Sequence, residues 1–237
     1  MAASALGDLR EAVWRANLEL VRSGLVTLSF GNASGIDRAS GIMVIKPSGV
    51  PYVDLQPADM VAVALDDGRV VDGGLRPSSD SPTHLALYRR YADIGGVVHT
   101  HSPAATAWAQ ACRAIPPLGT THADHFHGAI PVTRQLSDAE VAGSYEAETG
   151  AVIVETLDDA GLDAARMPAV LVASHGPFTW GRDATHAAEN AVALELVAGI
   201  AERTIIINPD IGPIGERLLD RHYGRKHGPD ATYGQGR

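Results

Sequence analysis

The 237-residue chain has a formal net charge of −9, from 19 Lys and Arg against 28 Asp and Glu, and 45% of its residues are hydrophobic. The length suits one domain with a substantial core, and the acidic balance argues against nucleic acid, because phosphate backbones are bound by clustered cations. The single cysteine, Cys112, excludes an internal disulfide and a cysteine-based zinc site, so we expect a cytoplasmic protein whose metal ligands are nitrogen and oxygen.

The first part of the chain predicts one helix followed by paired strands. Apolar residues recur at helical spacing over residues 6–23, and Gly24 follows as a stop. Residues 26–30 and Ile42–Ile45 are predicted as strands that lead into loops rich in small residues and hydrogen-bond donors. A hairpin is predicted around residues 66–68, Asp-Asp-Gly. Strands joined this closely are antiparallel.

The rest of the chain alternates helices with short apolar strands. We predict helices over 82–91, 103–111, 138–148, 184–201 and around 214–222, and strands over 95–99, 130–133, 151–155 and 170–174. This order favours a mainly antiparallel sheet covered by helices. Charged residues interrupt the longest apolar segment, 191–207, and the N-terminus lacks signal-peptide features, so no membrane partner is expected.

The end of the predicted strand 95–99 carries the pattern His99-Thr100-His101. Residues two apart in a strand point to the same side, so the two imidazoles can bind one ion. The spacing could also be accidental, with one ring simply packed. A third histidine, His175, follows another apolar strand next to Gly176. Together they favour a three-histidine site for a divalent metal, with an open coordination position.

Polar loops precede the predicted helices and follow the early strands. Asp80 is a candidate metal ligand or base, and helix N-capping is about equally plausible from the sequence. Hydroxyl and backbone N–H donors in such loops hold phosphate without much positive charge. The candidate loops contain Gly31 with Asn32, Lys46, Ser48 with Gly49, and Ser78 with Ser79. Each alone is an ordinary turn, but together they suggest a substrate that ends in phosphate.

The segment 120–128 is rich in titratable side chains. A second metal site through His122, His125 and His127 is conceivable, but no strand end supports it. Asp124 is the better candidate, as a general acid or base. His84 lies in a predicted helix and is expected to pack rather than to bind an ion.

Seven segments form a pattern that is specific in order and spacing, and they cover 26–32, 44–50, 77–84, 95–102, 119–124, 146–150 and 174–178. The pattern resembles the L-ribulose-5-phosphate 4-epimerases of the class II aldolase/epimerase family. The resemblance implies an α/β fold with three layers, α/β/α, about a mainly antiparallel sheet, in a single domain over 1–237. It also implies a homotetramer with active sites between subunits, in which the C-terminal tail, about 205–237, reaches a neighbour.

The resemblance implies a role for each matching position. The metal ligands would be Asp80, His99, His101 and His175, holding Zn²⁺ or another divalent ion such as Mn²⁺ or Co²⁺. The substrate would contact Asn32, Lys46, Ser48, Gly49, Ser78 and Ser79. Asp124 and Tyr233 would be the acid/base pair, and the supporting residues across the interface would be Thr120, Glu146, His222 and Arg225.

The implied activity is isomerisation of L-ribulose 5-phosphate to D-xylulose 5-phosphate by cleavage and re-formation of the C3–C4 bond. Asp80 stands where related sugar-phosphate aldolases have Glu, which favours an epimerase over a fuculose-phosphate-like aldolase. A non-catalytic protein of this fold would be expected to have lost the histidines. His125 and His127 depart from the aromatic residues of the family pattern. Arabinose and ascorbate breakdown could both use this step, and the sequence does not choose between them.

Overall fold

A computed structural model describes residues 2–228 and 231, which contain seven strands, eight α-helices and a short 3-10 helix, Pro57–Asp59. The strands are β1 (Asn32–Asp37), β2 (Ile42–Ile45), β3 (Val61–Ala64), β4 (Val70–Asp72), β5 (Gly96–His99), β6 (Ala169–Leu171) and β7 (Pro177–Gly181). The helices are α1 (Ala2–Arg22), α2 (Ser81–Arg90), α3 (Pro103–Gln110), α4 (Thr120–Ala123), α5 (Asp138–Ala142), α6 (Tyr145–Asp159), α7 (Ala184–Ile207) and α8 (Glu216–His227).

The strands form one sheet in the order β4-β3-β2-β1-β5-β7-β6, and every neighbouring pair is antiparallel. The predicted antiparallel sheet is therefore confirmed. Consecutive side chains alternate between its faces. Val98 belongs to the core between the sheet, α1 and α7, whereas Val97 belongs to the core between the sheet, α2 and α6. These two apolar cores make the three-layer α/β/α arrangement that the resemblance implied.

A third apolar core lies beside the sheet, between α3 and the second half of α7. Trp108 and Ala109 of α3 pack there with Val197 of α7 and with Phe126 and Ile130. Within the described residues, no helix combines the length and the apolar character needed to cross a membrane.

The register of the central strands explains how distant segments meet at one edge of the sheet. His99, the last residue of β5, pairs with Asn32 at the start of β1 and with Phe178 near the start of β7. Gly31 precedes this pair with φ of 77°, and a Cβ there would lie 2.8 Å from the carbonyl oxygen of His99. A glycine is required because any side chain would collide with the end of β5.

Three predicted elements are wrong. Residues 26–30 form an irregular loop, in which Leu28 has a positive φ of 58°, and the strand begins later at Asn32. Residues 130–133 make only isolated bridges, Ile130 with Ile115 and Val132 with Leu171.

The third error concerns residues 151–155, which lie inside α6. The β-branched run Val152-Ile153-Val154 favours a strand by composition, but the buried residues of α6 include Thr149, Ile153 and Leu157, which are spaced by one helical turn. The predicted helix 138–148 is in fact α5 followed by the start of α6, with Gly143 between them.

Candidate metal centre and substrate cavity

The three predicted histidines converge at the end of β5. His99 ends that strand, His101 follows two residues later, and His175 lies in the turn between β6 and β7. Their potential ligand atoms all lie within 4.8 Å of one another. Among the described residues this is the group of histidine, cysteine and acidic side chains that could hold one ion. The strand-end geometry expected from the His-x-His spacing is present.

The ring of His99 is held by two neighbours from β7. Its Nδ1 lies 3.0 Å from the carbonyl oxygen of Pro177, and its ring stacks on Phe178 at 4.2 Å between centroids and 17° between planes. The carbonyl can only accept, so Nδ1 carries the proton and Nε2 keeps its lone pair. Burial lowers the pKa of His99 to about 3, so the ring is neutral at pH 7 and can act as a ligand.

The Nε2 atom of His101 lies 3.1 Å from the Nε2 atom of His99. Because the His99 Nε2 presents a lone pair, the two nitrogens are held together either by a proton on His101 or by a shared cation. Burial also lowers the pKa of His175, with a further contribution from His101, which favours the neutral form of the His175 ring. His101 is exposed, so one side of the cluster is open. This donor set fits a divalent ion with open coordination positions.

Asp80 occupies the residue before α2, but its side chain does not cap that helix. The carboxylate Oδ2 instead accepts a hydrogen bond of 2.6 Å from Nδ2 of Asn32, which also donates to Ser78 Oγ at 3.0 Å. Burial acts to raise the pKa of Asp80, and the electrostatic effects of His99 and His84 outweigh it, so the pKa is lowered. Asp80 is therefore a carboxylate that faces the histidines.

The two polar loops expected to bind phosphate are joined to each other. Ser48 N donates to the carbonyl of Arg76, and Ser78 N donates to the carbonyl of Lys46, at 2.9 and 3.0 Å. Lys46 is buried, and its Nζ donates to the carbonyl of Val50 at 2.9 Å. Among the described residues no carboxylate pairs with this amine, and burial lowers its pKa to about 8. A buried cation without a carboxylate partner is suited to an anionic ligand.

These groups line one cavity of about 320 Å³. Its walls bring together all of the predicted metal and phosphate residues and add Ser29 and Phe30 at the rim. The lining residues are Ser29, Phe30, Gly31, Asn32, Lys46, Pro47, Ser48, Gly49, Ser78, Ser79, Asp80, His99, His101 and His175.

A second polar cluster surrounds Asp124, just after α4. Arg225 of α8 donates from Nε to Oδ1 at 3.1 Å and from Nη2 to Oδ2 at 2.7 Å, and His222 Nδ1 lies 3.1 Å from Oδ1. Burial acts to raise the pKa of Asp124, but the hydrogen bonds from Arg225 and His222 outweigh it and lower the pKa. Thr120 begins α4 one turn earlier. None of these residues lines the histidine cavity of the same chain.

The remaining predicted residues fall in other places. Tyr233 lies outside the described residues. The backbone carbonyl of Glu146, in the first turn of α6, accepts from Thr83 Oγ1 at 2.6 Å. His84 is buried and bonds to Ser34 Oγ at 2.7 Å, so it packs as expected.

The histidines of the segment 120–128 do not share a centre. His122 Nε2 lies 2.7 Å from the carbonyl of Gly128, and His127 Nε2 lies 2.7 Å from Asp220 Oδ1. Because these two rings are committed to separate partners, the conceivable second metal site is not formed by the described residues.

Sequence reasoning missed two aromatic residues at the site. Phe30 at the cavity rim has its ring 6.3 Å from that of His101, and the hydroxyl of Tyr145 lies 3.2 Å from Nδ1 of His175. Tyr145 directly precedes the recognised segment 146–150, but no spacing rule connects it with a histidine thirty positions away. The predicted strand 26–30 placed Phe30 within a strand instead of at a loop tip.

Comparison with known proteins supports the geometry. Residues 11–201 match the family described as "Class II Aldolase and Adducin N-terminal domain". The chain is 56% identical over 227 residues to a protein named L-ribulose-5-phosphate 4-epimerase UlaF from Salmonella paratyphi C (strain RKS4594), with 96% of this chain and 98% of that protein aligned.

Solved structures show the same fold. A structure named L-fuculose 1-phosphate aldolase superposes with a TM-score of 0.77 at 21% identity, over 92% of this chain and 95% of that one. YgbL from Escherichia coli, described as a putative aldolase/epimerase/decarboxylase, superposes with a TM-score of 0.71 at 25% identity, over 92% and 99% of the two chains. At these sequence identities, the structural similarity shows that the chains share a fold.

Proposed function

The chain belongs to the class II aldolase and adducin family, and from this membership we propose that it is an L-ribulose-5-phosphate 4-epimerase, an isomerase. The observation that carries the proposal is the single cavity in which three histidines and Asp80 face two loops rich in phosphate-binding donors. A metal centre beside a phosphate site matches a phosphorylated sugar that must be held at both ends. The substrate class follows from the named relative at 56% identity.

The donor set determines which cofactor fits. Three imidazoles and one carboxylate suit Zn²⁺, with Mn²⁺ or Co²⁺ as alternatives, and they leave net positive charge at the ion. We assign His99, His101, His175 and Asp80 to this site. A bound divalent cation would supply Lewis-acid stabilisation of the negative charge that develops on the C2 and C3 oxygens of the sugar.

The chain's own residues hold the substrate around this centre. The phosphate would be bound by backbone N–H groups and side chains of the two joined loops, which contribute Asn32, Lys46, Ser48, Gly49, Ser78 and Ser79. Lys46 supplies the positive charge. Asn32 also orients Asp80 through its hydrogen bond of 2.6 Å, so one side chain links the phosphate loops with the metal centre.

The reaction needs bond cleavage, because the C4 hydrogen of a 2-ketose is not adjacent to the carbonyl and is not acidic. One protein group accepts the C4 hydroxyl proton while the C3–C4 electron pair moves onto the three-carbon fragment, which becomes an enediolate. The other product is glycolaldehyde phosphate. Its aldehyde rotates while the phosphate stays bound. The enediolate then attacks the opposite face, and a second group returns a proton to the C4 oxygen.

Asp124 and Tyr233 are the proposed proton-transfer groups, each worth roughly 10²–10⁴-fold in rate. Asp124 does not line the cavity of its own chain, so we assign it to the site of a neighbouring subunit, together with Thr120, Glu146, His222 and Arg225 as supporting residues. The C-terminal tail from about residue 205 would bring Tyr233 to the same interface. This assignment requires an oligomer with shared sites, and we propose the homotetramer that the family resemblance implies.

A coupled assay with L-ribulose 5-phosphate tests the proposal. We expect D-xylulose 5-phosphate to accumulate, activity to disappear after chelation, and activity to return when Zn²⁺ is added. An aldolase would instead release free aldehyde in amounts that match substrate loss. A protein that binds the metal but converts no ketose phosphate would refute the proposed activity.

A further inference from the structure

His175, which is half-buried, is held differently from the buried His99 of the same cluster. His99 has a carbonyl partner and a stacked phenyl ring. The hydrogen bond of the His175 ring runs to the hydroxyl of Tyr145, with 3.2 Å between Oη and Nδ1, and the two ring centroids are 6.0 Å apart. Tyr145 is the first residue of α6, a helix that does not line the cavity, so it reaches His175 from outside the cavity wall.

The start of α6 is fixed by α2. Thr83 Oγ1 donates to the carbonyl of Glu146 at 2.6 Å. One turn further along α6, Gly150 allows a close approach, since a Cβ at that position would lie 2.7 Å from the Cβ of Ala86. Thr149 Oγ1 also donates to the carbonyl of Tyr145 at 2.8 Å. The position of the Tyr145 hydroxyl therefore depends on the contact between α2 and α6.

The N-terminal ends of these two helices each place a side chain near the histidines. Asp80 directly precedes α2, and Tyr145 is the first residue of α6. A shift of α6 relative to α2 would move the tyrosine hydroxyl with respect to the cluster. The Thr83–Glu146 hydrogen bond opposes this shift at the start of α6, and the ion pair between Arg90 and Asp158 joins the same two helices at their other ends.

We propose that Tyr145 is a positioning residue for the metal centre, whose hydroxyl accepts a hydrogen bond from Nδ1–H of His175 and so directs the Nε2 lone pair of that ring toward His99 and His101. Thr83 acts through Tyr145, because its hydrogen bond holds the start of α6 in place. The proposal rests on the proposed metal site and does not depend on which sugar phosphate reacts. Outer partners of this kind orient a ligand ring and raise its basicity.

Metal affinity gives a direct readout. Loss of an outer hydrogen-bond partner costs about 10–100-fold in metal affinity. In the full-length protein we expect Tyr145→Phe to weaken Co²⁺ binding by this factor, measured by competition with a chromophoric chelator, and to change the visible absorption bands of the bound Co²⁺. Tyr91→Phe is the matched control, because that hydroxyl contacts Asp158 of α6 at the ends of α2 and α6 that lie opposite Asp80 and Tyr145.

A double-mutant cycle tests the role of Thr83. Thr83→Val keeps the shape of the side chain and removes its hydrogen bond, so we expect a smaller loss of Co²⁺ affinity in the wild-type background. In the Tyr145→Phe background the same substitution should have no further effect. Additive losses would show that Thr83 does not act through Tyr145.

The possible outcomes separate this inference from the proposed function. Binding of Co²⁺ by Tyr145→Phe within threefold of wild type, with unchanged absorption bands, would overturn the inference while the metal site and the epimerase activity stand. A wild-type protein that binds no Co²⁺ would overturn both. Thermal unfolding of the metal-free variants identifies any loss of affinity that comes from misfolding, which would also count against a positioning role.

Discussion

The Nε2 atoms of His99 and His101 lie 3.1 Å apart at the end of β5, with His175 beside them. Two residues of β7 hold the His99 ring in this position. The carbonyl of Pro177 fixes its tautomer, and the ring of Phe178 fixes its plane. β7 thus holds the histidine cluster in place even though neither of these two residues lines the cavity. Rigid support of this kind keeps ligands in place before the ion binds.

The approach of α6 to α2 makes Gly150 intolerant of a side chain. A Cβ there would meet Ala86 Cβ at 2.7 Å and Thr83 Cα at 3.2 Å. We expect Gly150→Ala to lower the free energy of unfolding by about 1–3 kcal/mol through overpacking. Gly199 of α7 is the matched control, since its nearest neighbour would be 3.7 Å away.

Alanine at Gly199 should stabilise the helix by up to about 1 kcal/mol, because alanine has the higher helix propensity. Urea unfolding of both variants measures the two changes in the free energy of unfolding, which should have opposite signs. Equal effects at the two sites would contradict the close contact between α2 and α6.

The ion pair between Arg225 and Asp124 should control the acid side of the activity profile. The guanidinium contacts both carboxylate oxygens, and lysine cannot reproduce a two-point contact. We expect Arg225→Lys to raise the pKa of Asp124, so that the rate falls at a higher pH than in the wild-type enzyme. The pH dependence of kcat/KM measures this shift. Arg221→Lys, on the exposed side of α8, should not change the pH at which kcat/KM falls on the acid side.

His84 should make stability depend on pH. Burial lowers its pKa to about 4, from an ordinary value of 6.5. Between these values the unfolded chain binds a proton that the folded protein does not, so stability falls as the pH is lowered through this window. One such group contributes at most about 1.4 kcal/mol per pH unit.

Urea unfolding of the metal-free protein between pH 4 and 6.5 tests this contribution. His84→Asn should show a shallower pH dependence than the wild-type chain, whatever its stability at pH 7. Parallel curves for the two proteins would exclude His84 as a source of the effect.

Mixed oligomers test whether the site is shared. His99→Asn removes a ligand from the cavity, and Asp124→Asn removes the proposed acid/base group from the neighbour. Each variant alone should be nearly inactive. After unfolding and refolding an equal mixture, each site takes its histidines from one subunit and its Asp124 from a neighbour. Random assembly should therefore give roughly a quarter of the sites both a native His99 and a native Asp124. Activity no higher than that of the separate variants would argue against a shared site.

The clustering of the histidines could be predicted because it depends on local rules. Alternation along a strand places His99 and His101 on one side, and the apolar run before each histidine marks a strand end. The sheet was likewise predictable from the hairpin around residues 66–68. In contrast, Asp80 was ambiguous, because an aspartate before a helix is usually a cap. The folded structure resolves this ambiguity, because Asn32 at the start of β1 donates a hydrogen bond to the Asp80 carboxylate, 48 positions away.

The errors arose where tertiary contacts override local preference. The run Val152–Val154 favours a strand by composition, but it becomes helical because α2 offers a surface on which α6 packs. The segment 26–30 has strand-like composition, yet the turn at Gly31 places it in a loop at the cavity rim. Tyr145 could not be found from the sequence, because its partner, His175, is brought near only by the assembled sheet and helix.

The most direct test of the central claim is a crystal structure of the Zn²⁺-loaded protein with an anomalous difference map at the zinc edge. The account predicts one strong peak per chain, about 2.0–2.1 Å from a ring nitrogen of each of His99, His101 and His175. A peak bound by other residues, or the absence of a peak between these three rings in a zinc-activated enzyme, would contradict it.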